Sequence, residues 1–389
     1  MNVLLGISAS IAAYKAPLIV RELKKRGLSV QTLLSKNAHH FVTPLSLSTV
    51  SELPCLNSDD EFQGTIPHLA IGKEASLMVI APATANMIAK CANGFADDMI
   101  SSTFLAYQGP KLIVPAMHTE MIENPVVKEN LNRLKAQGCY ILGPISGELA
   151  CNDKGPGRLI GIPSIVDAIE NLAKTPQFKV PHERLLVTAG GTKEAIDSVR
   201  SLTNQASGQL GNTLANLAAL DGKKVTLVST TKPEDLSDLI SHIHVSSAKE
   251  MEDAVMETFP SHDSLFMTAA VSDFKCSSQN NEKLSRQETK TLSLTQTNDI
   301  LKTVASSKTS KQTVVGFCLE HEKKLEEAAL RKVTEKNVDF LIANTPNNIG
   351  SSTRDFGIYT TSGKQNDYTN QSIVETANII LNLKKEIHS

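Results

Sequence analysis

Twice along this 389-residue chain, strand-sized apolar runs end in turns of glycine and small hydroxyl residues that open segments with helical apolar spacing. The first series has strand patterns at residues 3–7, 28–34, 77–80, 112–114 and 141–142, and a helix over 10–26 that stops at Gly27. The segment 174–183 holds Pro176 and Pro181, has mixed polarity and reads as a linker. The pattern then restarts with strands at 185–188, 224–229, 265–268, 314–317 and 340–343, and helices at 210–220, 322–336 and 373–384. Strands alternating with helices imply parallel sheets covered on both faces. The expectation is two α/β domains in series, each a doubly wound parallel sheet, over residues 1–175 and 182–389. In such sheets ligands sit beyond the carboxyl ends of the strands. The polar stretch 277–297 reads as a loop or short strands outside the core.

Composition excludes more than it selects. The net charge is −2, which gives no support to a general nucleic-acid or membrane surface. No apolar run is long enough for a transmembrane helix, and Met1 leads directly into a strand pattern without the basic start of a signal peptide. A cytoplasmic location is expected. The six cysteines form no C-x-x-C pair, so a zinc site is not expected, and in a reducing compartment they read as free thiols.

Two turns in the first half are built for close approach of a ligand. Gly6-Ile7-Ser8-Ala9-Ser10 carries the first strand into the first helix, and Ala81-Pro82-Ala83-Thr84-Ala85-Asn86 follows a later strand. Backbone N–H groups and small hydroxyls converging at a helix start suit a phosphate, whereas helix caps at Ser8, Ser10 or Thr84 account for the same residues equally well. His68 alone reads as an ordinary surface histidine. Cys151 lies in the glycine-rich loop from Gly147 to Arg158, too elaborate for a simple connector, and its plain reading is a buried thiol.

In succession, Gly6 to Lys15, Phe41-Val42-Thr43-Pro44-Leu45-Ser46, Ala81 to Asn86, Pro115-Ala116-Met117 and Ala150 to Arg158 resemble the FMN-dependent cysteine decarboxylases. Within them, the half resembles the amino-terminal half of the bifunctional phosphopantothenoylcysteine decarboxylase/phosphopantothenate–cysteine ligases of coenzyme A biosynthesis. The resemblance implies a flavodoxin/Rossmann-like flavoprotein domain. Its FMN would oxidise the substrate thiol to a thioaldehyde, carbon dioxide would leave, and the enethiol would then be reduced. Gly6, Ser8, Ser10, Ser35, Thr84 and Asn86 would hold FMN, and Met117 and His118 the substrate. By position His68 matches the histidine of the oxidative half-reaction. Cys151 matches the clamp cysteine that supplies a proton in the reductive half. Two positions depart from the pattern. His118 stands where the family has an asparagine that donates to the substrate carboxylate, and Ala9-Ser10 stands where glycine is usual.

In the second half, Thr188-Ala189-Gly190-Gly191-Thr192 and Ser207-Gly208 suggest a phosphate cradle. With Thr203-Asn204, Ala269-Ala270-Val271-Ser272-Asp273, Gly316-Phe317 and Ala343-Asn344 they resemble the ligase half of the same bifunctional family. The resemblance implies a Rossmann-like domain in which CTP activates the carboxylate of 4′-phosphopantothenate as an acyl-cytidylate that the cysteine amine attacks. Asn204 would bind the acyl carbonyl, against a plain Asx-turn reading. Lys283 would close over the nucleotide, although a lysine in a polar loop is ordinarily only solvated. Asp273 would contact the nucleotide and a Mg²⁺ ion, Phe317 would lie near the base, and Lys332 and Lys336 would meet the triphosphate. An ordinary exposed basic face accounts for the last two as well. The resemblance also implies a homo-oligomer, with trimeric flavin domains and dimeric ligase domains combining into a dodecamer. Two alternatives stay open on sequence grounds: a ligase whose flavin domain has reduced or lost turnover, motivated by His118 and Ala9, and a flavin-binding regulatory scaffold.

Overall fold

The structure, a computed structural model, describes residues 1–57, 60, 67–174, 183–231, 233, 235–278, 282–283, 291–351 and 353–387. The expected linker falls on 175–182 and lies outside them, apart from residues 174 and 183 at its ends. The chain divides into two compact units, Met1–Lys179 with Glu234–Leu239 and Val180–Pro233 with Ile240–Ser389. Among the described residues no helix is long and apolar enough to cross a membrane.

The first unit is built on five parallel strands, β1 (Asn2–Ile7), β2 (Ser29–Leu34), β3 (Leu77–Ala83), β4 (Lys111–Pro115) and β5 (Tyr140–Ile141), in the order β2-β1-β3-β4-β5. These runs are nearly continuously apolar because helices cover both faces. Leu4, Met78, Ile80 and Ile113 of the sheet pack with Met87, Ile88 and Phe104 of the helices Ala85–Asn93 and Met99–Ala106. The order reverses between β1 and β3, the switch point at which such sheets leave a crevice. The expected helix over 10–26 is split into a 3₁₀ turn, Ile11–Lys15, and an α-helix, Ala16–Lys25. Pro17 has no N–H for the carbonyl four residues back, so the α-ladder starts afresh at its own first turn. A two-stranded antiparallel hairpin, β6 (Ile145–Glu148) and β7 (Lys154–Arg158), follows the sheet.

In the second unit eight strands form one sheet. They are β8 (Arg184–Ala189), β11 (Lys224–Ser229), β12 (Ser241–His244), β13 (Ser264–Met267), β16 (Thr313–Leu319), β17 (Phe340–Asn344), β18 (Thr353–Thr360) and β19 (Gly363–Ser372). The order is β12-β11-β8-β13-β16-β17-β18-β19. The pairs from β12 to β17 are parallel, and the last two strands are added antiparallel, so the sheet is parallel only in its first six strands. Two-stranded antiparallel sheets pair β9 (Lys193–Ala195) with β10 (Ser201–Thr203), and β14 (Phe274–Cys276) with β15 (Leu294–Gln296). The core joins Leu186, Val228, Leu265, Val314 and Leu341 of the sheet to Met251, Val255, Ala329 and Val333 of helices Ala248–Thr258 and Glu322–Glu335.

Candidate active sites

The crevice of the first unit opens where the chain leaves β1 and β3. Ser8 ties the two turns together. Its hydroxyl donates to the Pro82 carbonyl at 2.7 Å and accepts the Thr84 N–H at 2.9 Å. Thr84 caps the helix Ala85–Asn93 by accepting the Met87 N–H, and Ser10 caps the 3₁₀ turn by accepting that of Ala12. The capping reading therefore holds for Thr84 and Ser10, whereas Ser8 caps no helix and bridges the two turns instead. The same residues line a cavity of about 690 Å³ together with Ser35, Asn86 and Met117. Gly6 is not among its walls. It is buried in β1, where a Cβ would come within 3.0 Å of Ile100, so its smallness serves packing. Lys90 lines the cavity too, held at 2.7 Å by Asp97 and 2.8 Å by Asp98. Neither carboxylate was singled out in the sequence. Asp98 carried a signal as the first residue of an Asp-x-x-Ser capping box. The cavity size, its apolar Met87 and Met117 walls and its rim of hydroxyls and helix starts fit a flat ring with a phosphorylated tail.

A second pocket of about 510 Å³ shares Ser10, Ala116 and Met117 with the first and contains His118, Cys151 and Arg158. The strand β7 docks on the turn that carries His118. Met117 N–H donates to the Gly157 carbonyl at 2.9 Å, and the Thr119 hydroxyl to that of Pro156 at 2.8 Å. Gly157 has φ +132°, and a Cβ there would collide with the Met117 carbonyl. Between β6 and β7 the chain turns tightly, with Leu149 N–H donating to the Asp153 carbonyl at 2.8 Å. Cys151 sits on this turn, exposed, contrary to the plain expectation of a buried thiol.

His118 caps the helix Thr119–Glu123. Its Nδ1 accepts the Glu120 N–H at 3.4 Å, and its Nε2 lies 2.9 Å from Asp153 Oδ2. A backbone N–H only donates, so Nδ1 is the acceptor and the ring hydrogen of the neutral imidazole is on Nε2. The Cys151 thiol donates to the same Asp153 oxygen at 3.4 Å. Hydrogen bonding from His118, then from Cys151, holds the Asp153 carboxyl below the usual range. The three donor atoms lie within 4.8 Å of one another, a spacing that suits a metal ion. A metal on Nε2 would need the opposite tautomer and would set Nδ1–H against the Glu120 N–H, so the cluster is a hydrogen-bond network. Asp153 was not singled out in the sequence; it lies two residues beyond Cys151. His68 belongs to the helix Pro67–Glu74, and its side chain lies outside what is described.

In the second unit the expected motifs meet at the ends of β8 and β13. Ala270 N–H donates to the Gly190 carbonyl at 2.9 Å, and Ser272 N–H to the Thr192 hydroxyl at 2.9 Å. The Asn204 amide donates to the carbonyls of Ala270 and Val271, both at 3.2 Å. Both its contacts are thus to the Ala-Ala-Val loop, which the turn reading did not anticipate. Gly190 has φ +85°, and a Cβ on it would meet the Thr230 hydroxyl. That hydroxyl and Asn212 Oδ1 are buried without a hydrogen-bond partner among the described residues. Neither was foreseen. Such orphans beside the start of helix Gln209–Leu220 mark polar space that a bound group would satisfy. Asp273 is exposed next to Ser272, and Phe317 is half-buried on β16. Lys332 donates to the Cys318 sulfur at 3.3 Å, and Lys336 pairs with Asp299 at 3.1 Å, so neither is a merely solvated cation. Lys283 is exposed, while Ser285 and Arg286 of its loop lie outside the described residues.

Residues 1–174 match the family described as Flavoprotein, and 180–387 that described as DNA/pantothenate metabolism flavoprotein C-terminal domain. The coenzyme A biosynthesis bifunctional protein CoaBC of Vibrio parahaemolyticus is 38% identical over 350 residues, 88% of this chain and 86% of that one. That of Bacillus subtilis is 37% identical over 88% of this chain and 85% of its own. A solved C-terminal domain of such a CoaBC protein shares 30% identity over 54% of this chain and 98% of that one, with a TM-score of 0.46. With both halves matched in order and identity sustained along the chain, this protein belongs to the bifunctional coenzyme A biosynthesis family, flavoproteins that combine a decarboxylase with a ligase.

Proposed function

We propose that the second unit joins cysteine to 4′-phosphopantothenate at the expense of CTP, and that the first decarboxylates the product to 4′-phosphopantetheine with FMN. The observation that carries the reading is the pair of adjoining pockets at the β1/β3 switch point. One suits a flavin; the other presents His118 Nε2–H and the Cys151 thiol. FMN, when bound, supplies the two-electron acceptor for the substrate thiol and returns the electrons after carbon dioxide has left. His118 donates its Nε2 hydrogen to the substrate carboxylate. A neutral imidazole offers one N–H there, as an asparagine amide would, which supports turnover over a flavin domain without activity. Cys151 Sγ gives up its proton in the reductive half, and His68 acts in the oxidative half.

In the ligase unit, the 4′-phosphopantothenate carboxylate attacks the α-phosphorus of CTP and pyrophosphate leaves. The cysteine amine then attacks the acyl carbon, CMP leaves, and the amine loses a proton. Asn204 binds the acyl carbonyl by turning an amide N–H to it from the Ala270 or Val271 carbonyl. Asp273 is a hard oxygen ligand of the kind Mg²⁺ takes, and the ion offsets triphosphate charge with Lys332, Lys336 and Lys283. Phe317 packs near the base. The assembly is a homo-oligomer, trimeric through flavin units and dimeric through ligase units, working in the cytoplasm. Purified protein given 4′-phosphopantothenate, cysteine and CTP should be yellow and release CMP and carbon dioxide in equal amounts. CMP without carbon dioxide would leave the ligase alone, and no CMP would overturn the reading of the second unit.

A further inference from the structure

The Asp153 carboxylate holds two groups that the decarboxylation needs. One of its oxygens receives both the His118 Nε2 hydrogen, at 2.9 Å, and the Cys151 thiol, at 3.4 Å. The two come from different elements. His118 is fixed to the sheet end by its own cap on Thr119–Glu123, whereas Cys151 and Asp153 ride on the β6–β7 turn. Asn152, between them, has φ +68°, and its N–H donates to the Leu149 carbonyl at 2.9 Å, so the turn's shape fixes where the carboxylate points. Asp153 is exposed, and a hydrogen bond so placed adds little to stability. Its effect lies in orientation.

A substrate that loses carbon dioxide brings its own carboxylate into this pocket. That group needs the same N–H that Asp153 occupies. We propose that Asp153 is a positioning residue that stands in for the substrate carboxylate: it keeps His118 in the donor tautomer, yields it to the incoming substrate, and reclaims it once carbon dioxide has left. This rests on the reading of His118 as carboxylate donor. The exchange replaces one carboxylate by another on the same hydrogen, so hydrogen bonds are conserved on binding. The product has no carboxylate and does not compete for that hydrogen, so its affinity does not depend on Asp153. Throughout, Asp153 keeps an acceptor beside the Cys151 thiol and so orients it.

The test is Asp153→Ala in the full chain with FMN bound, with flavin content and CMP release as folding controls. Without the internal competitor, KM for the carboxylate substrate should fall about tenfold, as for loss of one charge-assisted hydrogen bond. The decarboxylated product should inhibit wild type and variant equally, and kcat should fall because the thiol has lost its acceptor. A disordered turn would instead raise KM as kcat drops. An unchanged or raised KM, or equal tightening for substrate and product, overturns the proposal. In a His118→Ala background, removing Asp153 should no longer lower KM. If His118→Ala made in the Asp153→Ala background does not raise KM, the donor reading fails and the proposal falls with it, a result distinct from failure of Asp153 alone.

Discussion

His118 shows how one residue can answer to the backbone on one side and to the chemistry on the other. Its Nδ1 belongs to a helix cap and its Nε2 to the pocket, so the fold chooses the tautomer. The cysteines divide as sharply. Cys151 is exposed and the other five are buried. Burial pushes the Cys139 thiol up to about 11 and the Cys91 thiol upward as well, so both stay protonated at pH 8 and are poor nucleophiles. Titration of native protein with a thiol reagent at pH 8 should show one fast thiol, absent from Cys151→Ser, and the remainder only after denaturation. Two or more fast thiols in the native protein would contradict this burial. Exposure of Cys151 was not legible in its residue type, because cysteine is on average a buried residue. It follows from the glycine-rich turn that carries it.

At the scale of elements, the β6–β7 hairpin leaves little tolerance for backbone change beside the His118 pocket. At Met117 it meets the Met117–Thr119 turn backbone against backbone, close enough that Gly157 has no room for a side chain, and the Thr119 hydroxyl adds a bond to the Pro156 carbonyl. Gly157→Ala should shift the hairpin by about an ångström and lower decarboxylation about 100-fold, as for other misplacements of that size. CMP release should be unaffected, and retained carbon dioxide release would mean that the turn yields without cost. The central strands were readable because burial on both faces demands a run of apolar residues, as in Val3-Leu4-Leu5 and Val314-Val315. The hairpin of β18 and β19 was not. β19, Gly363–Ser372, is an edge strand, largely exposed and almost wholly polar, so no alternation marks it. Its pairing with β18 supplies the order that its sequence lacks.

For the whole molecule, two compact units imply two separable activities. Cys151→Ser should abolish carbon dioxide release while CMP release continues and phosphopantothenoylcysteine accumulates. Asn204→Ala should slow CMP release by about 10²-fold, the scale for loss of one oxyanion donor, while supplied phosphopantothenoylcysteine is still decarboxylated. Loss of both activities from either substitution would show that the units do not work independently. Much of this organisation was readable along the chain. Apolar period and turn chemistry are local properties, so they mark where strands, helices and small-residue turns lie before any partner is known. The succession of those turns, from Gly6-Ile7-Ser8 to Ala269-Ala270-Val271, carried the family resemblance that implies the two chemistries and their order along the chain. Partnership across the chain was not readable. Ser8 with Pro82, Asn204 with Ala270, Lys332 with Cys318 and His118 with Asp153 are joined by topology, and nothing in the separation of such residues announces the bond. The sequence alone thus determined the α/β plan and, through the family resemblance, which residues are proposed to carry chemistry. Only the tertiary structure decided which hydrogen each of them holds and to whom it is given, because a hydrogen bond depends on ångström distances that local periodicity does not encode.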